Sequence, residues 1–410
     1  MNVVDKYLLE TSSYTALDVM LADVAVRVQL TPTDYTLAED RYKAINEWIE
    51  REGSPLHGRV ELFCPQGGFM IGATVARHST DSEFDIDVMA QITWPLNIDP
   101  ELALATTHAA IKGERGSRYY DKCDRKTRCS TVQYVGMHLD VTTAVLCPGR
   151  EERTSYIFHS KEADRRRLLA NPFGFAKWFI GLTPVEENFG KFFESRSLDF
   201  NRVLLETLAK TDSEPVPKQA PVYRKSRAVI ALQLIKRWRN LAYDRRHANL
   251  RLPPSVLLAY YVAMNANQTR TLANELIHQV ECLILALEDA ERMNTTIRVE
   301  NPACREDVLT DRWPDRNDQR MFLKELREFL AKLYVLREGR PLAEMQRILE
   351  ELFGEKPARE AVRKFSGQHV DDNDSGKSVH VLSTGSIPAL GSTAVPAKAR
   401  ATPKSSPWGD

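Results

Sequence analysis

Phe84-Asp85-Ile86-Asp87-Val88 alternates apolar and acidic side chains with a period of two. An extended strand gives that alternation its meaning, since it sends both carboxylates to one face and the apolar side chains to the other. Two carboxylates side by side raise each other's pKa unless a cation neutralises them. A divalent ion with oxygen ligands does so, and magnesium, small and often held by a few carboxylates plus substrate phosphates, is the natural guest. For an isolated D-x-D the bland reading is a polar strand face meeting water. The residues upstream shift the balance, because Gln66-Gly67-Gly68-Phe69, with Gly72 close behind, permits backbone angles that bring amide N–H groups against a phosphate.

A third acid lies in Met137 to Val145, MHLDVTTAV, a run rich in β-branched residues that follows another such run, 127 to 135, across Gly136. A hairpin is expected there. Asp140 is then expected beside Asp85 and Asp87, completing a three-carboxylate site for two metal ions that clamps the attacking hydroxyl and the leaving pyrophosphate of an in-line displacement. Alone, Asp140 is an ordinary polar-face residue.

The rest of the chain reads as an α+β core followed by a helical lobe. Leu17, Met20, Leu21, Val24 and Ala25 have helical spacing, and Asp34 or Thr36 is a candidate cap for a second helix ending near Gly53. Strand-like runs occupy 59 to 64, 84 to 92, 127 to 135, 137 to 145 and 154 to 159, with a helix at 100 to 112 among them. From about 173 to 363 the pattern is helical apart from a loop at 211 to 221. Phe322, Leu326, Phe329, Leu330 and Leu333 carry the periodicity. The expected division is a catalytic core with N-terminal helices at 1–200, a helical lobe at 201–365 and a tail at 366–410, whose Ser, Gly, Ala and Pro content predicts disorder. A cleft between core and lobe is the expected ligand site.

With 410 residues, 56 basic and 56 acidic, the net charge argues neither for nor against a nucleic-acid partner. Six scattered cysteines without C-x-x-C spacing, no signal peptide and no apolar stretch of ~20 residues predict a cytoplasmic protein with reduced thiols and no membrane span. Cys123 and Cys129 lack the further paired ligands of a structural zinc site.

The pattern QGGF-x-x-GAT, then EFDIDV, then HLDVTTA resembles the polymerase-β-like nucleotidyltransferases, and within them the bacterial relatives of cyclic GMP-AMP synthase and oligoadenylate synthase. The resemblance continues in Tyr223 to Asn240, similar to the helix carrying a triphosphate-binding lysine, here Lys236. Leu252 to Ala263 looks like the helix that opens after a proline pair with a polar residue near the donor phosphates, here Ser255, and Asn301 to Trp313 looks like the N/D-P segment closing the helical region. The matches span about 66 to 313. The resemblance implies Asp85, Asp87 and Asp140 as catalytic and metal-binding, with Mg2+ (Mn2+ as substitute) in two ions. It implies Gln66, Gly67, Gly68, Phe69, Lys236 and Ser255 as nucleotide-binding. The implied product is a cyclic dinucleotide or short cyclic oligonucleotide, made from ATP and/or GTP with release of pyrophosphate. That product would activate a separate effector in anti-phage signalling; the C-terminal tail reads first as a tail alone, with a site for a regulatory partner as the alternative. Many members have Gly-Ser where this chain has Gly67-Gly68, so backbone amides at 67 to 69 carry more of the phosphate contact here.

Other conspicuous residues have bland readings. Of the run Lys236, Arg237, Trp238, Arg239, Arg245, Arg246, only part can reach one cleft. Lys236 is the phosphate candidate, and the arginines are expected to meet solvent or ion-pair partners. Arg165 to Arg167 reads as a solvated face, His138 as a structural histidine near Asp140, Tyr223 as a base-stacking candidate, and Ser255 equally as a helix cap. Rival functions are a nucleotidyltransferase acting on RNA or protein, and an inactive nucleotide-binding regulator. The presence of all three aspartates counts against the second.

Overall fold

The computed structural model describes residues 14–76, 84–160, 166–209, 224–313, 315–374, 379–381 and 399–401. Two capped helices open it, α1 (Ala16–Val28) and α2 (Pro32–Ile49). Thr31, one residue before the helical proline, caps α2, and Asp34 completes a capping box from N3. Neither Asp34 nor Thr36 is the cap itself: the proline at N1 places the start earlier.

The sheet contains β1 (Val60–Gln66), β2 (Phe84–Ile92), β3 (Cys123–Arg125), β4 (Ser130–Tyr134), β5 (Met137–Leu146), β6 (Ser155–His159) and β7 (Arg166–Ala170). A single turn of helix, α3 (Gly67–Met70), follows β1, and α4 (Pro100–Lys112), capped by Asp99, lies between β2 and β3. The order is β1-β2-β5-β4-β3, with β6 joined to β5 and β7 to β6. Every pairing is antiparallel except β2 with β5, which is parallel and pairs Asp87 with Asp140 and Asp85 with His138. The expected hairpin is β4–β5, turned at Gly136 with φ +74°.

After the sheet come α5 (Pro172–Leu182), α6 (Glu187–Ala209), α7 (Arg227–Arg246), α8 (Ser255–Asn265), α9 (Leu272–Arg292), a small hairpin of β8 (Glu300–Asn301) and β9 (Cys304–Val308), α10 (Arg316–Arg337), α11 (Leu342–Phe353) and α12 (Glu355–Asp374). The strands β3, β7, β8 and β9 were absent from the sequence reading. Each is short, and β8–β9 interrupts a region whose apolar spacing is helical on both sides. The loop at 211 to 221 lies outside the described residues. Beyond 366 the backbone is helical to Asp374, and β10 (Val379–Val381) pairs with β11 (Ala399–Ala401). The rest of that segment lies outside the described residues. No helix among the described residues is long and apolar enough to cross a membrane.

Two apolar cores result. One fills the sheet and its α2–α4 cover, with Ile86, Val88, Leu139 and Val141 fully buried, which leaves the aspartates of β2 and β5 on the opposite face. The other is helical and includes α1 through Met20, Leu21 and Val24. At its centre α7 is buried on all sides, as a helix without a polar face must be. A buried charge cluster ties α1 to the later helices. Asp23 accepts from Arg196 Nε at 2.9 Å and lies 3.6 Å from Arg27 and 3.5 Å from Lys364, while Arg27 reaches Glu360 at 3.3 Å.

Removing Asp23 leaves three cations facing one another without their shared anion. Asp23→Ala is expected to cost about 3–5 kcal/mol in denaturant unfolding, whereas Glu360→Ala, on the exposed edge of the network, costs under ~1 kcal/mol.

Candidate active site

Residues on β2 and β5 that share a register position share a face, so Asp85, Asp87, His138 and Asp140 form a patch two residues wide and two deep. Asp85 is half exposed, and His138 Nδ1 lies 3.9 Å from its Oδ1. The Asp140 carboxylate is oriented from the next strand, where Thr131 Oγ1 donates to its Oδ1 at 2.5 Å. The expected gathering of all three acids occurs, with Asp140 beside Asp87 and His138 beside Asp85.

Burial pushes the Asp87 carboxyl up to about 7, and the neighbouring charges of Asp140 and Asp85 push the same way, against a smaller pull from Lys236. Among the described residues no three His, Cys, Asp or Glu side chains converge tightly enough to hold a metal ion by themselves. The donor set is all oxygen, carries excess negative charge and opens on one side. It fits a hard divalent cation completed by substrate phosphate oxygens.

Gly67 and Gly68 are required by what lies against them. Gly67 has φ +58°, and a Cβ there would sit 2.6 Å from Asp87 Oδ2; at Gly68 it would sit 2.9 Å from Lys236 Nζ. The turn thus brings main-chain N–H groups beside a catalytic-type carboxylate on one side and an ammonium on the other. Phe69 sends its ring toward Tyr35, centroids 5.0 Å apart, so its backbone is what it offers the cleft. Gln66, opposite Asp87 in register, donates from Nε2 to Thr142 Oγ1 at 3.2 Å and Val88 O at 3.3 Å, a bracing position across β1, β2 and β5.

From the helical lobe, Lys236 donates to Ala73 O at 2.6 Å. Burial lowers its pKa to about 8, helped by Arg239 and opposed by Asp87 and Asp85. Ser255 is the first residue of α8 rather than its cap. The cap position is Pro254, without a side-chain bond, and Ser255 Oγ instead accepts from Arg239 Nη2 at 3.1 Å. Arg245 and Arg246 are exposed as expected, Arg246 paired with Glu325, but Arg237 and Arg239 are not. Arg239 is buried, donates to Pro253 O at 2.6 Å and is lowered to about 10 by that burial, and Arg237 is wholly buried with Nε on Phe353 O at 3.0 Å. Arg166 and Arg167 are exposed, as a solvated face requires, with Arg167 also donating to Ile98 O at 2.5 Å, while Arg165 and Tyr223 lie outside the described residues.

Two cations beside the site are not assigned to it by the sequence, where Arg239 reads as meeting solvent or an ion-pair partner and Lys225 does not stand out. Arg239 follows Lys236 at i+3, a spacing that puts both on one helix face and was there to be used. Lys225 donates to Gln29 Oε1 at 2.5 Å, and burial with repulsion from Lys236 lowers its pKa to about 7. Lying before α7, it has no periodic signal.

No family model matches the sequence. The chain is 36% identical over 378 residues to the Cyclic dinucleotide synthase CdnG of Bradyrhizobium diazoefficiens, across 88% of this chain and 86% of that protein. It is 24% identical over 395 residues to a c-di-GMP synthase of Roseivirga ehrenbergii, across 92% and 94%. The fold is similar to the structure of the Bradyrhizobium CD-NTase CdnG in complex with GTP, with a TM-score of 0.72 and 34% identity, covering 84% of this chain and 97% of that one. E. coli MS115-1 CdnC with ATP shares the fold at a TM-score of 0.52 and 12% identity, over 82% and 96%.

Gly67→Ala meets both a left-handed backbone and the Asp87 carboxylate, whereas Gly68→Ala meets only the far end of the Lys236 side chain. Thermal unfolding should show the first destabilised by about 1–2 kcal/mol and the second by less. Asp87 gives a pH signature in metal-free protein. Its carboxyl titrates near 7 folded and near 3.8 unfolded, so the folded state holds the extra proton between those values and stability falls as pH rises through that window. Asp87→Asn should therefore stabilise the metal-free protein on the order of 1–3 kcal/mol at pH 8 and leave it unchanged near pH 3, as read from melting curves across pH.

Proposed function

The chain belongs to the CD-NTase family, the nucleotidyltransferases related to cyclic GMP-AMP synthase, and from that membership we propose that it joins GTP, alone or with ATP, into a cyclic dinucleotide or short cyclic oligonucleotide. It is a nucleotidyltransferase that makes cyclic oligonucleotides. GTP as substrate is supported by the relative whose structure carries GTP and by the relative named as a c-di-GMP synthase.

The observation that carries the assignment of the site is Asp87 facing Asp140 across a parallel strand pair, with the Gly67–Gly68 turn on one side and Lys236 beyond it. The donor triphosphate lies along the backbone amides of Gly67 to Phe69, with the Lys236 ammonium and Ser255 hydroxyl as further contacts. Lys236 trades the Ala73 carbonyl for phosphate oxygens, and Arg239 holds Ser255 in place. When bound, magnesium, in two ions and held by Asp85, Asp87 and Asp140, supplies charge neutralisation at the attacking and leaving oxygens. Asp140, steadied by Thr131, orients the acceptor ribose hydroxyl and receives its proton. Attack on the α-phosphorus forms the new phosphodiester and releases pyrophosphate. The linear dinucleotide then turns round, and a second transfer at the same carboxylates closes the ring. An effector protein that reads the product, in anti-phage defence, completes the reading.

Purified protein incubated with labelled nucleoside triphosphates and magnesium should yield a phosphatase-resistant nucleotide product. The Asp85→Ala, Asp87→Ala double variant should lose it by at least ~1,000-fold. Label transferred instead to added RNA or protein would replace this reading with modification of a macromolecule.

A further inference from the structure

Where the end of α7 meets the beginning of α12, a pocket of about 470 Å3 carries Arg245, Lys356, Arg359 and Arg363 on its wall against Glu355 and Glu360. It is not part of the nucleotide cleft. Arg245 follows Lys236 by nine residues, about two and a half helical turns and about 13 Å along the axis, so the two side chains leave α7 on opposite faces. On α12, Lys356, Arg359 and Arg363 fall at i, i+3 and i+7 and share one face.

The acids around this pocket are already engaged. Glu355 pairs with Arg359, whose Nε also lies 3.5 Å from Glu350. Glu360 turns to Arg27 at 3.3 Å, and the Glu351 side chain pairs with Lys332, leaving only its main-chain O to accept from Arg245 Nη1 at 2.8 Å. Among the described residues no carboxylate pairs with Arg245, Lys356 or Arg363, and all three are exposed. The floor is Gly354, at φ +104°, where a Cβ would stand 2.9 Å from Arg237 Nη2. A wholly buried guanidinium thus underlies the pocket with no side chain between, and burial spares its field the screening that water gives the outer cations. Its Nη1 donates to Ala76 O at 3.3 Å, so the pocket floor and the segment before β2 share one guanidinium.

Convergent positive charge in a concave wall draws an anion of several charges. Arginine forks and a lysine ammonium suit phosphate oxygens in particular. No aromatic ring lines the pocket, which leaves nothing for a base to stack on. We propose that it is a binding site for a compact polyphosphate anion, separate from the nucleotide cleft and independent of the reaction assigned there.

The test is calorimetric titration of the full chain with pyrophosphate in EDTA, with sulfate for comparison. Lys236→Gln removes the ammonium of the cleft, and a pyrophosphate site should survive it. Lys356→Gln with Arg363→Gln, both exposed, should weaken that surviving site roughly 10- to 100-fold. Arg337→Gln with Arg340→Gln takes the same charge from an exposed stretch at the end of α10 and should leave it unchanged. Sulfate should bind more weakly than pyrophosphate. Four results overturn the site: no pyrophosphate binding that survives Lys236→Gln, a surviving site indifferent to Lys356→Gln with Arg363→Gln, the same loss in Arg337→Gln with Arg340→Gln, or sulfate binding as tightly as pyrophosphate. None of these readings involves turnover, so a chain that forms no cyclic product keeps the pocket, and a fully active one can still lose it.

Discussion

Three side chains of one buried helix hold the segment that leads into the catalytic strand. Gln233 donates to Thr74 O at 3.0 Å, Lys236 to Ala73 O at 2.6 Å and Arg237 to Ala76 O at 3.3 Å. Residues 73 to 76 are irregular and buried, so their carbonyls have no ladder to satisfy them, and an unpaired buried carbonyl is costly. The long polar side chains of α7 supply the missing donors. The glycine turn precedes this segment and β2 follows it, which makes α7 the common reference for the phosphate-facing amides and the aspartates. The same helix presents Lys236 to the turn and, through Arg239, sets Ser255. Core and lobe are thus coupled by hydrogen bonds from buried cations as much as by apolar packing.

Electrostatically the site is built to be incomplete. Repulsion and burial drive Asp87 toward its protonated form, and burial drives Lys236 toward its neutral form. Each group is unfavourable in the ionised state its chemistry needs. A nucleotide arriving with a divalent cation reverses both tendencies at once, because the cation favours the carboxylates and the phosphates favour the ammonium. If the proposed site binds both, substrate and metal would stabilise each other's binding through these two side chains.

Legibility from the sequence followed the strength of local pattern. The F-D-I-D-V alternation located β2 and its polar face, and the Gly136 hairpin located β5. The parallel register that sets Asp87 opposite Asp140 is a long-range fact that no local period encodes; the sequence reading put the three acids side by side without giving their register. Ser255 illustrates the limit in another way: position after two prolines suggested a cap, but the partner that decides its role, Arg239, lies on another helix. Arg237 was misread because a charged residue in an amphipathic count is assigned to solvent, while in a helix enclosed on every side it must find carbonyls instead. The hairpin β8–β9 was missed since strands of this length leave no period to detect.

The parallel pairing of β2 and β5 has a consequence for how this enzyme can change over time. Parallel neighbours need a long crossover, and here it includes α4, β3 and β4. Lengthening such a connection is thermodynamically mild, about 0.6 kcal/mol for each doubling of a flexible loop. Altering the register of β2 on β5 by one residue would turn every aspartate to the wrong face. Insertion is therefore tolerated in the exposed loop between α4 and β3 and forbidden within β2, β5 and β4, whose Thr131 holds Asp140. The Asp87–Asp140 pairing is the fixed part of this architecture, and the exposed connection between α4 and β3 is where a descendant could gain length without disturbing it.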